Sequence, residues 1–125
     1  MAGEAILIVD DNPVNLKLVQ VLLSSQGYEV RSAGDAEEAL DVLQEFKPGL
    51  ILMDIQLPGM DGLELTRLLR EDPAMRGVVI LGLTAYAMKG DQEKVLAAGC
   101  DGYVAKPIDT RKFPQLVAGY LKKAP

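Results

Sequence analysis

Histidine is absent from the sequence. That removes imidazole general bases, histidine-ligated zinc and Ser-His-Asp catalysis together. There is one cysteine, Cys100, so no internal disulfide can form and a reducing interior suits the chain. Cys100 follows the small residues Ala97-Ala98-Gly99 with no histidine to activate it, and reads as a buried packing thiol. No segment reaches the ~20 apolar residues that span a bilayer. Met1-Ala2-Gly3-Glu4 lacks the basic stretch that opens a signal peptide. Linkers, repeats and low-complexity segments are also missing. The expectation is a cytoplasmic, soluble protein with no membrane contact and one domain over 1–125. Positive charge is in deficit, with 18 acidic against 13 basic side chains and a formal charge of −5. That argues against direct nucleic-acid binding, which needs clustered lysine and arginine. It favours a cation, or a basic patch on another protein, as partner.

What is present is enough for one hydrophobic core: 125 residues, 49% hydrophobic and 25% charged. Short β-rich runs alternate with helical patterns five times. Ala5-Ile6-Leu7-Ile8-Val9 stops abruptly at Asp10-Asp11. Asn12-Pro13 then reads as an N-cap and first helical residue, and the helix runs to about Gln26 before Gly27. Tyr28 to Ala33 is a more polar strand near a sheet edge. Asp35 caps a helix with Ala36, Ala39, Leu40, Leu43 and Phe46 on one face, broken by Lys47-Pro48-Gly49. Leu50-Ile51-Leu52-Met53 again stops at a carboxylate, Asp54. The loop Pro58-Gly59-Met60-Asp61-Gly62 enters a helix carrying Leu63, Leu65, Leu68 and Leu69. Val78 to Leu83 stops at Thr84, and a helix spans about Asp91 to Ala98. Tyr103-Val104-Ala105 ends at Lys106-Pro107, and a last helix runs from about Thr110 to Lys122. Such alternation implies βαβ units and a parallel sheet covered on both faces, a doubly wound (βα)5 α/β domain.

In a parallel sheet the strand ends gather along one edge, and ligands bind there, where strand order reverses. Four of the five ends carry reactive groups: Asp10-Asp11, Asp54, Thr84 and Lys106. Singly, each has an ordinary role as a turn, cap or surface residue. Jointly they do not. Carboxylates brought to ~4 Å repel by about 4 kcal/mol per pair at an effective dielectric near 20. That cost demands protonation or a cation, and hard oxygen ligands favour Mg²⁺.

These residues, in this order and spacing, resemble the receiver domain of bacterial two-component response regulators. The resemblance runs from about Glu4 to Leu121, and Met53-Asp54-Ile55-Gln56-Leu57-Pro58-Gly59-Met60-Asp61-Gly62 matches that family's phosphoacceptor segment. The resemblance implies a flavodoxin-like, CheY-like sheet of order 2-1-3-4-5. It implies that Asp54 accepts a phosphoryl group, assisted by Thr84 and Lys106. Mg²⁺ would be held by Asp11 and Asp54, with Asp10 close by and the Gln56 carbonyl as a further ligand. Thr84 and Tyr103 fall at the switch positions, and Lys106-Pro107 at the family's cis peptide. Tyr86, two residues past Thr84, and Gln56 lie where access of water to the acyl phosphate is set. The donor is expected to be a sensor histidine kinase or a histidine phosphotransfer protein, and the output a downstream protein target. The domain signals rather than acting as an enzyme on a substrate, although it promotes its own phosphotransfer and autodephosphorylation.

Three rivals share the architecture, so the site must separate them. A non-phosphorylated receiver used only for binding would have lost Asp54, Lys106 or the acidic pair, and none is lost. An aspartate-nucleophile phosphatase of the haloacid dehalogenase type carries a second acid two residues after the first, where this chain has Asp10-Asp11-Asn12. A flavodoxin-like cofactor binder needs a phosphate-cradling loop after Val9, and none follows. After the last helix only Lys123-Ala124-Pro125 remain, which fits a stand-alone receiver or one excised from a larger regulator or hybrid kinase.

Overall fold

Every strand of the sheet is short, and each points the same way. The computed structural model describes residues 4–57, 59–84, 89–106 and 108–123. Its strands are β1 (Ala5–Val9), β2 (Glu29–Ala33), β3 (Leu50–Asp54), β4 (Val79–Thr84) and β5 (Gly102–Ala105). The helices are α1 (Pro13–Ser24), α2 (Ala36–Leu43), α3 (Gly62–Glu71), α4 (Lys89–Ala97) and α5 (Phe113–Lys123), with a 3₁₀ turn at Pro73–Met75. All pairings are parallel and the order is β2-β1-β3-β4-β5. The expected doubly wound fold and strand order are borne out.

Alternation along the strands explains the two-sided core. Ile6 and Ile8 pair with Leu50 and Leu52 and pack with Val19, Leu23, Phe113 and Val117 of α1 and α5. Leu7 and Val9 pair with Ile51 and Met53 and pack with Ala39, Leu65, Leu69 and Val95 of α2, α3 and α4. Successive side chains face opposite sides of the sheet, so a strand covered twice must be apolar throughout. Each fully buried leucine or isoleucine contributes about 1.5–3 kcal/mol. Cys100 joins the second cluster, and burial pushes its thiol up from the ordinary range.

Capping residues set the helix starts. Asn12 Oδ1 accepts from Val14 N at 2.9 Å, Asp35 Oδ1 from Glu38 N at 2.8 Å, and Asp61 Oδ1 from Glu64 N at 2.8 Å. Gly27, at φ +91°, closes the turn after α1 in a conformation that favours glycine. α5 departs from expectation, beginning at Phe113 rather than Thr110. Asp109 starts a turn there, its side chain accepting from Arg111 N at 3.0 Å and its carbonyl from Phe113 N at 2.9 Å. Pro114 has no N–H to return to the Thr110 carbonyl, so the run of helical hydrogen bonds is interrupted over 110–112 and regular helix starts at Phe113, with Pro114 in its first turn. α2 also ends sooner than the apolar face suggests. Phe46 nevertheless stays buried, its N–H bonded to Val42 O at 2.9 Å.

At the amino ends of β4 and β5 a single side chain ties several segments together. Arg70 of α3 donates from Nε to Gly99 O at 2.8 Å, and from Nη1 to Met75 O at 2.9 Å and Val78 O at 2.8 Å. Its Nη2 meets Asp101 Oδ2 at 2.8 Å, and that oxygen also accepts from Ile80 N at 2.8 Å.

Candidate functional site

The reactive groups lie at the opposite edge, where β1, β3, β4 and β5 end. β1 delivers Asp10, which is 0% exposed, and β3 delivers Asp54, which is 3% exposed. Pairing of β3 with β4 continues one residue past Asp54 through Ile55 N to Leu83 O at 3.1 Å, which fixes the main chain there. Gly62 at the start of α3 lies against the same segment. A β-carbon at position 62 would overlap the Asp54 carbonyl.

Hydrogen bonds orient the two buried carboxylates. Asp54 Oδ1 accepts from Gln56 N at 2.9 Å, and Asp54 Oδ2 from Lys106 Nζ at 3.0 Å. The same ammonium stands 3.7 Å from Asp10 Oδ2. Asp10 Oδ1 accepts from Asn12 N at 2.9 Å, and its Oδ2 from Asn15 Nδ2 at 3.3 Å. Asp11 is exposed beside them. Asp10, Asp11 and Asp54 each place a carboxylate oxygen within 4.8 Å of the others. Burial pushes the Asp54 carboxyl above the ordinary range, and Asp10 adds to this, against the Gln56 N–H and Lys106, which pull it down.

Each group anticipated from the sequence can now be placed. Asp10, Asp11, Asp54 and Lys106 come together. Thr84 is buried at the end of β4, and its carbonyl accepts from Lys106 N at 2.8 Å. Tyr103 is half-buried on β5 and packs against the core under α4. Gln56 is exposed, with its N–H aimed at Asp54. Pro107 and Tyr86 lie outside the described residues. Sequence reasoning missed Asn15, which holds Asp10 from the first turn of α1. The signal was its position three residues past the Asn12 cap, on the turn nearest the strand end. It also missed the close seat that Gly62 provides.

The donor set suits a hard divalent cation. It offers carboxylate oxygens only, gathered to a span close to the ~4.2 Å between opposite ligands of an octahedral Mg²⁺ site. Among the described residues one ammonium stands against three carboxylates, which leaves negative charge that a cation would offset.

The profile of the response regulator receiver domain matches residues 6–118. A polar-differentiation response regulator DivK from Brucella anthropi is 42% identical over 121 residues, covering 97% of this chain and 98% of that one. Among solved structures, the receiver domain of a sensor histidine kinase from Pseudomonas aeruginosa superposes with a TM-score of 0.87 at 37% identity. That match covers 97% of this chain and 99% of the other, which has a magnesium ion coordinated in its active-site cleft. The chemotaxis response regulator CheY4 of Vibrio cholerae gives a TM-score of 0.89 at 27% identity, covering 94% and 98%. Among the described residues no helix is long and apolar enough to cross a membrane. With the acidic cluster at the strand ends and the family profile agreeing along nearly the whole chain, this protein belongs to the response regulator receiver domains and is a phosphoryl-accepting signalling domain of two-component systems.

Proposed function

We propose that Asp54 is the phosphoryl acceptor of a single receiver domain spanning 1–125. The observation that carries this reading is the Asp54 carboxylate, held between Lys106 Nζ at 3.0 Å and the Gln56 N–H at 2.9 Å beside two further aspartates. A carboxylate already ionised at neutral pH needs no adjacent base to act as nucleophile. An Asp54 oxygen attacks the phosphorus of a partner's phosphohistidine, the N–P bond breaks, and an acyl phosphate forms as the imidazole leaves. Since this chain contains no histidine, the donor is a sensor histidine kinase, a histidine phosphotransfer protein or a small phosphodonor.

Asp10, Asp11, Asp54 and the Gln56 carbonyl would hold Mg²⁺, which when bound supplies positive charge to the phosphoryl oxygens. Lys106 adds its ammonium from the other side. The Thr84 hydroxyl donates to a phosphoryl oxygen, and Tyr103 follows the rearrangement of the β4 end. The surface built from α4, β5 and α5 then passes between two populations, which controls a downstream protein. Water later cleaves the acyl phosphate, with the Gln56 side chain flanking its approach. The protein thereby assists reactions of its own carboxylate and turns over no separate substrate. A cytoplasmic setting fits these partners and the reduced, buried Cys100.

The test is incubation with Mg²⁺ and acetyl phosphate followed by intact mass. Wild type gains one phosphoryl group and loses it on removal of the donor, and Asp54→Asn gains none. Labelling of Asp54→Asn to the wild-type extent would end the assignment.

A further inference from the structure

Asp10 is fully buried, whereas Asp11 beside it is exposed. A buried carboxylate needs donors on both oxygens to offset its loss of water. Asp10 Oδ1 is met by the Asn12 N–H at 2.9 Å, within the same turn. Its Oδ2 has two claimants among the described residues. The Asn15 amide reaches it from Nδ2 at 3.3 Å, while the Lys106 ammonium stands off at 3.7 Å and closes to 3.0 Å on Asp54 instead. A carboxylate only accepts, so the Asn15 amide must present its nitrogen rather than its oxygen.

The first turn of α1 holds that amide in place. Asn12 Oδ1 accepts from the Val14 N–H at 2.9 Å and from the Asn15 N–H at 3.4 Å. The cap thus fixes the main chain from which the Asn15 side chain reaches Asp10, and Pro13 stiffens the same turn. The neutrality of the donor matters as much as its position. A lysine or arginine at 15 would satisfy Asp10 equally well, but would cancel negative charge that attracts a divalent cation. With no donor at 15, Asp10 Oδ2 would draw the Lys106 ammonium across on its flexible stem. The carboxylate oxygens of Asp10, Asp11 and Asp54 lie within 4.8 Å of one another, so an ammonium moved in among them competes directly with a metal ion.

We propose that Asn15 is a positioning residue that reserves Asp10 for the metal and Lys106 for Asp54, and thereby sets the affinity for Mg²⁺. The inference rests on the Mg²⁺-assisted acceptor site proposed above and adds the group that keeps cation and ammonium apart. Side chains that orient metal ligands typically change metal affinity by about 10–100-fold when removed. Asn15 touches no phosphoryl group, so its effect is expected in the binding of the ion and only through that in the labelling of Asp54.

Calorimetric titration of the full chain with Mg²⁺, with no phosphodonor present, tests this in wild type, Asn15→Ala, Asn15→Gln, Lys106→Met and the Asn15→Ala/Lys106→Met pair. Asn15→Ala should weaken Mg²⁺ binding about tenfold, and Asn15→Gln, which keeps an amide on a longer arm, should recover part of that loss. Without the ammonium there is nothing to draw across, so in the Lys106→Met background Asn15→Ala should cost at most about threefold. Alanine favours helix more than asparagine does, so α1 holds, and the rise in Tm on adding Mg²⁺ should shrink in step with the affinity. Wild-type affinity in Asn15→Ala, or an equal loss with and without the Lys106 amine, would overturn the proposal. Labelling by acetyl phosphate separates it from the acceptor assignment. Half-maximal labelling of Asn15→Ala at about tenfold higher Mg²⁺ supports the proposal, and labelling lost with no change in Mg²⁺ dependence contradicts it. A wild type that binds Mg²⁺ but takes no phosphoryl group counts against the acceptor assignment alone, because the titrations still decide the role of Asn15.

Discussion

The two ends of the sheet handle charge in opposite ways. At the amino ends of β4 and β5, the Arg70 guanidinium is matched by the carbonyls of Gly99, Met75 and Val78 and by Asp101. Donors and acceptors there are balanced, and the result is a fastener. At the carboxyl ends, Asp10 and Asp54 are buried together and share one ammonium, with Asp11 beside them. Among the described residues that arrangement is underneutralised. The contrast shows where the fold is held and where it waits for something from outside: a partly exposed charge whose hydrogen bonds are all matched ties segments together, and buried charge left in excess marks a binding site.

Removing the fastener should produce the largest effect. Arg70→Ala leaves three carbonyls and Asp101 without their partner and should cost about 3 kcal/mol in urea unfolding. Arg70→Lys should recover less than half, because one ammonium lacks the planar fork that reaches all four groups. Labelling of Asp54 by acetyl phosphate should persist in both at temperatures where they remain folded, so joint loss of both properties would erase the contrast. Next comes Gly62→Ala, whose β-carbon collides with the Asp54 carbonyl. A cost of about 2 kcal/mol is expected from overpacking, together with slower labelling, since the strain falls on the acceptor's own residue.

A smaller loss is expected on the underneutralised side. Lys106→Met in EDTA leaves Asp10 and Asp54 facing each other and should cost about 1–2 kcal/mol. Added Mg²⁺ should return more stability to this variant than to wild type, read as the shift in Tm. The smallest effect has the opposite sign. Burial holds the Asp54 carboxyl above its ordinary range, so the folded protein binds that proton more tightly than the unfolded chain does. Its contribution is therefore complete below the unfolded carboxylate pKa and is lost as pH rises through the raised folded value. Asp54→Asn removes that loss. In EDTA at neutral pH it should melt a few degrees above wild type, with the gap closing as pH falls toward ~3.9.

The sequence made the site's inventory legible because apolar runs ending in Asp10, Asp54, Thr84 and Lys106 could only converge in a parallel sheet. The same regularity made strand order and the two-faced core readable. Other features depend on contacts between distant segments. Arg70 on α3 looks like any charged residue facing water, since its carbonyl partners lie up to 29 positions away. Asn15 was obscured because asparagine in a first turn already has a local use. The start of α5 differs from the expected Thr110 because that reading took no account of the N–H that Pro114 lacks.

Lys106 is also a mechanical joint. Its main-chain nitrogen is fastened to the Thr84 carbonyl while its ammonium, several bonds away, grips Asp54 and Asp10. Tension on either attachment is borne by one residue, so a shift in the β4 terminus moves the root of the very lever whose tip rests on the acceptor. Positions 84 and 106 are thus yoked through backbone as well as through charge, and a replacement at 106 that preserved the positive tip on a shorter arm would still detune the linkage.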